Sequence, residues 1–122
     1  MFNLQRPLQF STSLFIGLSL FTVSSSSLAH SRLVQSVPAV ESKLAKSPSH
    51  LQLVFADPVI LAGLQLYRQQ QQMTLPFKVS PSLNRQFQIA MPALSQGLYT
   101  VKWKTLGADG HAMNGTYTFT IQ

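Results

Sequence analysis

Chemistry in this chain has few residues to draw on. Of 122 residues, three are histidine, three are acidic and none is cysteine. The histidines are His30, His50 and His111; the acids are Glu41, Asp57 and Asp109. Thiol nucleophiles, Cys-ligated zinc, iron–sulfur clusters and disulfide scaffolds are therefore excluded. Two of these residues stand together in Asp109-Gly110-His111. Residues two apart in an extended segment project to one face, so this carboxylate and this imidazole can converge on a single ion. Gly110 removes the side chain between them and opens backbone angles closed to other residues. Taken alone, the spacing also fits an ordinary polar turn.

His30 takes its meaning from what precedes it. Met1 to Ala29 reads as a secretory signal peptide, with Arg6 in the n-region and an apolar run from Leu14 to Val23. Ser27-Leu28-Ala29 then places small residues where a signal peptidase inspects the chain. The apolar run is too short to cross a hydrocarbon core, which needs about 20 residues. Cleavage after Ala29 leaves residues 30 to 122 as one domain and makes the His30 nitrogen a free primary amine. That amine and the ring Nδ1 can close a chelate on one metal ion. Two neutral nitrogens suit Cu(II) in a tetragonal arrangement. Further ligands are needed, and Asp109 and His111 are the best candidates.

The elements that must position these groups read as short strands. From His30 onward no helical period stands out, while period-two runs recur. Tyr99, Val101 and Trp103 alternate with Thr100, Lys102 and Lys104; Tyr117, Phe119 and Ile121 alternate with threonines. Leu51, Leu53 and Phe55 form another apolar face, Leu64 and Leu66 a fourth, and Phe87 and Ile89 a fifth. Pro38, Ser47-Pro48-Ser49, Asp57-Pro58, Pro76, Ser80-Pro81-Ser82, Pro92 and Gln96-Gly97 punctuate these runs. Gly107 to Gly115 reads as a shaped turn joining the last two strands, and Gln69 to Gln72 as a solvated hairpin tip. About seven short strands predict an all-β, immunoglobulin-like Greek-key sandwich. Trp103 is the expected core anchor between its sheets, and His50 an exposed residue opening a strand.

The mature chain resembles the CopC/PcoC family of periplasmic copper-resistance domains. The likeness is carried by His30-Ser31-Arg32-Leu33-Val34-Gln35-Ser36-Val37-Pro38-Ala39, by Leu53-Val54-Phe55-Ala56-Asp57, and by Gly97-Leu98-Tyr99-Thr100-Val101-Lys102-Trp103. Asp109-Gly110-His111, Gly115 and Phe119 complete it. The resemblance implies one Cu(II) ion held by the amine and imidazole of His30, by Asp109 and by His111. It implies Asp57 as a further carboxylate close to copper, as ligand or as hydrogen-bond partner of a ligand. The family's methionine-rich Cu(I) loop has only Met73 to represent it, so no separate Cu(I) site is expected. Met113, two residues past His111, reads as strand-end packing. A periplasmic location and an inner-membrane copper transporter as partner are also implied.

A net charge of +6 invites a nucleic-acid hypothesis. The basic residues are scattered singly, however, and an exported domain does not meet the genome. No nucleic-acid partner and no stable membrane insertion are expected. The chain is thus expected to be a non-enzymatic copper(II) protein that buffers or delivers the metal for homeostasis or resistance. Two other readings use the same residues. A copper-dependent polysaccharide monooxygenase would employ the same N-terminal histidine chelate but needs an open coordination position and a flat aromatic surface. A metal-free adhesive sandwich would follow if the signal peptide were retained.

Overall fold

A computed structural model of the chain describes residues 32–122; His30 and the expected signal peptide and cleavage point lie outside them. Seven strands follow one another: β1 (Leu33–Val37), β2 (Lys43–Leu44), β3 (His50–Arg68), β4 (Gln71–Met73), β5 (Asn84–Ala90), β6 (Gly97–Gly107) and β7 (Ala112–Ile121). Among the described residues no helix is long and apolar enough to cross a membrane.

The topology turns on β3, whose 19 residues are too many for one small sheet. Its first part bonds antiparallel to β1, with Ser36 opposite Leu53, and to β5, with Ile89 opposite Leu51. Its second part bonds antiparallel to β6, from Val59 opposite Gly107 to Arg68 opposite Tyr99, and to β4. β6 continues to β7, and the short β2 closes that side by pairing parallel to β7. The two layers of the expected β-sandwich are thus joined through one shared strand.

Two local expectations change here. Asp57-Pro58 was expected to separate two strands, yet it lies inside β3. The hydrogen-bonded ladder runs to Ala56, whose N–H donates to the Arg32 carbonyl at 2.9 Å, and resumes at Val59. Pro58, with no N–H to contribute, occupies the gap where the strand changes sheets. The turn between β6 and β7 is also tighter than the glycine spacing suggested. It comprises Ala108 to His111, and Gly115 lies within β7 opposite Trp103.

The apolar alternation otherwise maps onto the core. Leu51, Leu53, Phe55, Leu66, Tyr99, Val101, Phe119 and Ile121 are buried. In β3 the buried positions run Val59, Leu61, then Leu64, Leu66. A register shift between Leu61 and Gly63 supplies that three-residue step and keeps both pairs facing inward. Phe55 spans the layers, meeting Trp103 edge-on at 5.2 Å and Phe87 at 6.0 Å between ring centroids. Tyr99 stacks on Phe119 at 5.3 Å and donates its hydroxyl to the Ser95 carbonyl at 2.7 Å. Of the expected tip Gln69 to Gln72, Gln69 and Gln70 form the exposed turn between β3 and β4, while Gln71 and Gln72 pair within β4.

The Trp103 indole lies against Gly115, where a Cβ would collide with the ring. Gly115→Ala is therefore expected to lower stability by about 1–3 kcal/mol, the usual cost of overpacking a core, as read by urea unfolding at constant m-value.

Tyr117 crosses the core from β7. Its hydroxyl and that of Ser36 are both buried without a hydrogen-bond partner. Burial pushes the Tyr117 pKa up to about 12, against a smaller opposing effect of the nearby Ser36 hydroxyl. Both folded and unfolded chains keep this proton below about pH 10. Above that the unfolded chain ionises first, so this contribution to stability is lost as pH rises towards about 12. Tyr117→Phe is expected to match or exceed the parent in stability by up to about 1 kcal/mol, and to flatten the alkaline decline of its denaturation midpoint.

Candidate metal centre

The β6–β7 turn is closed by its own backbone. Gly107 N–H donates to the His111 carbonyl at 2.9 Å, and Gly110 N–H donates to the Gly107 carbonyl at 3.0 Å. Gly110 has φ of 84°, a left-handed conformation that side chains with a Cβ resist. This geometry folds Asp109 back onto His111. Asp109 Oδ1 accepts the His111 backbone N–H at 3.0 Å, and Oδ2 lies 2.8 Å from His111 Nδ1.

The pairing orients both side chains and lowers the pKa of the carboxyl. The His111 ring, and after it the His111 backbone N–H, hold the Asp109 carboxyl below the ordinary carboxylate range. An ionised carboxylate can only accept, so Nδ1 is the donor in this contact and Nε2 is the ring nitrogen left to face a ligand. Both side chains face solvent, His111 70% exposed and Asp109 47%. The contact therefore orients the imidazole more than it stabilises the fold.

Asp57 reaches the same place from the opposite layer. A cavity of about 330 Å³ is lined by Asp57, Asp109, His111, Met113, Thr105 and Leu83, among others. Asp57 sits where β3 changes sheets, directly after the residue that bonds to Arg32 at the approach to β1. The sites expected at Asp57, Asp109 and His111 are thus brought to one cavity. Asp109 and His111 are in direct contact there. Among the described residues no three His, Asp or Glu side chains are grouped closely enough to hold a metal by themselves.

Other polar candidates fall elsewhere. His50 opens β3, exposed, with Nδ1 at 2.8 Å from the Ser49 hydroxyl. A larger cavity, about 900 Å³, lies over β3, β6 and β7 and is lined by Lys102, Trp103, Lys104 and Phe77 among others, with no His, Asp or Glu. Met113 fulfils its expected packing role at the core margin, but it also forms part of the 330 Å³ cavity wall. The signal for that second role was its position two residues past His111. Leu83 gave no signal, since it arrives from the β4–β5 connection.

Comparison with known proteins identifies the family and the fold. The CopC domain family matches residues 33–122. Copper resistance protein C of Escherichia coli is 29% identical over 111 residues, covering 82% of this chain and 87% of its relative. Protein YobA of Escherichia coli (strain K12) is 28% identical over 99 residues, covering 77% and 80%. Among solved structures, CopC from Methylosinus trichosporium OB3b superposes with a TM-score of 0.64 at 28% identity, over 76% of this chain and 94% of that one. PcoC, a methionine-rich copper resistance protein from Escherichia coli, gives 0.60 at 30% identity, over 77% and 100%.

The Asp109–His111 contact has a measurable signature. A carbon-13 carboxyl NMR titration is expected to place Asp109 below its ordinary value of 3.8, and His111→Ala to return it towards that value. With a depressed folded pKa, the turn's contribution to stability is present above pH 3.8 and lost as pH falls through the folded pKa.

Proposed function

This chain belongs to the CopC family of copper resistance proteins, and from that membership we propose that it is an exported, non-enzymatic carrier of one Cu(II) ion. In this reading cleavage after Ala29 leaves residues 30 to 122 as the periplasmic domain. The ion is gripped by the free amine and ring Nδ1 of His30, by His111 through Nε2, and by an Asp109 oxygen. Asp57 lies on the cavity rim and either adds a carboxylate or holds a ligand imidazole in place. Nitrogen and carboxylate donors, with no thiolate in the chain, suit Cu(II) and favour buffering and delivery. The recipient is an inner-membrane copper transporter.

The observation that carries this reading is the convergence of Asp57, Asp109 and His111 on one cavity beside the approach to β1. The described groups there fall short of a complete ligand set, which leaves a place for donors from the mature N-terminus. Arg32 is tied by its carbonyl to Ala56, and covalent geometry keeps residue 30 within about 7 Å of the Arg32 Cα. The ligand chemistry is also the chemistry available: an imidazole held in one tautomer by an ionised carboxylate presents a fixed lone pair.

Mass spectrometry of the exported protein is expected to find His30 as its first residue, and a single added residue before His30 is expected to abolish the chelate and weaken Cu(II) binding. His111→Ala is expected to lower Cu(II) affinity by roughly 10–100-fold or more. The thermal midpoint of the metal-free protein should stay nearly constant, since the side chain is exposed. Unchanged affinity in both variants would overturn the site.

Copper binding is also expected to weaken steadily as pH falls from about 8 to 5, because the α-amine and imidazoles must shed protons to coordinate. Isothermal titration in buffers of known copper affinity reads this directly, and a flat profile would refute the ligand set.

A further inference from the structure

The wall of the candidate copper cavity contains one donor of a different chemical class. Strand alternation from Tyr117 back through Gly115 turns Met113 to the inner side of β7, opposite Thr105. Thr105 is itself almost fully buried, and both residues line the cavity that contains His111, Asp109 and Asp57. Met113 is half-buried, packed against the core margin while open to that cavity. Of the described methionines, Met73 and Met91 also pack at the core margin, but neither lines this cavity.

We propose that Met113 is a thioether ligand that lets this same cavity hold copper as Cu(I), in partnership with the His111 imidazole. A thioether is soft and neutral, prefers Cu(I) to Cu(II), and adds no charge to a singly charged ion. Imidazole serves both oxidation states. Carboxylates and the amine favour Cu(II), so the two donor sets overlap only at His111. The unbranched methionine side chain has three rotatable bonds, enough to turn its sulfur towards a neighbouring ligand without moving the strand. No electron transfer is required: each ion is bound in the state in which it arrives. The proposal rests on the His111 cavity being the copper site, and it adds a second form of the same cargo.

The test uses the exported protein with its own mature N-terminus. Cu(I) affinity is measured anaerobically by competition with a bathocuproine chelator, and Cu(II) affinity separately. Leu replaces Met with little change in packing volume. Met113→Leu is expected to weaken Cu(I) binding by roughly tenfold or more while Cu(II) affinity and the metal-free thermal midpoint hold. His111→Ala should weaken both ions. Met73→Leu and Met91→Leu should weaken neither. Undiminished Cu(I) binding in Met113→Leu, or a loss produced by Met73→Leu or Met91→Leu instead, would overturn the role of Met113. Failure of the Cu(II) site would show separately, as Cu(II) affinity insensitive to His111→Ala.

Discussion

Because β3 bonds to β1 before Asp57-Pro58 and to β6 and β4 after it, with β5 following it from His50 to Val59, the backbone has to pass from one sheet to the other at Asp57-Pro58. That passage leaves an unpaired gap in the ladder, which a proline tolerates and an exposed aspartate can border. It also sets the register of everything downstream. Val59 pairs with Gly107, the last residue of β6, so the β6–β7 turn is held beside the crossing point. The candidate metal centre is a consequence of that one constraint. The place where the shared strand changes layers, the turn between the last strands and the approach to β1 all meet at one end of the sandwich.

Electrostatics at this end run against the rest of the molecule. The chain carries a net +6 with only three acids, two of which, Asp57 and Asp109, line the same cavity. A cation approaching from a distance gains nothing from such a surface. Affinity must come from local donors held at the right spacing, and the turn supplies that order. The ionised Asp109 fixes the His111 tautomer, and the left-handed Gly110 lets the carboxylate reach back two residues. Thr105 and Met113 close the cavity from the core side, coupling the site to β6 and β7 rather than to a loose loop.

Much of the fold was legible in the residues because strand alternation is a local property. The inward sets Tyr99, Val101, Trp103 and Tyr117, Phe119, Ile121 are buried as their periodicity requires. Family membership was legible for a similar reason, since the quoted motifs are contiguous. The continuity of β3 was hidden. Asp57-Pro58 carries the local signature of a break, and only pairing partners on both sides reveal one strand. Gly115 was misplaced in the same way: it looks like a turn residue until Trp103 is found lying over it.

The order of residues by itself determined the all-β class, the inward faces of the strands, the family, and the short stock of groups able to hold a metal. Each of these depends on composition or on neighbours a few positions apart. Tertiary structure alone decided that Asp57 shares a cavity with Asp109 and His111 across about fifty intervening residues, and that Met113 stands in the same wall. Those proximities arise from register between distant strands, which long-range pairing sets and no local pattern encodes.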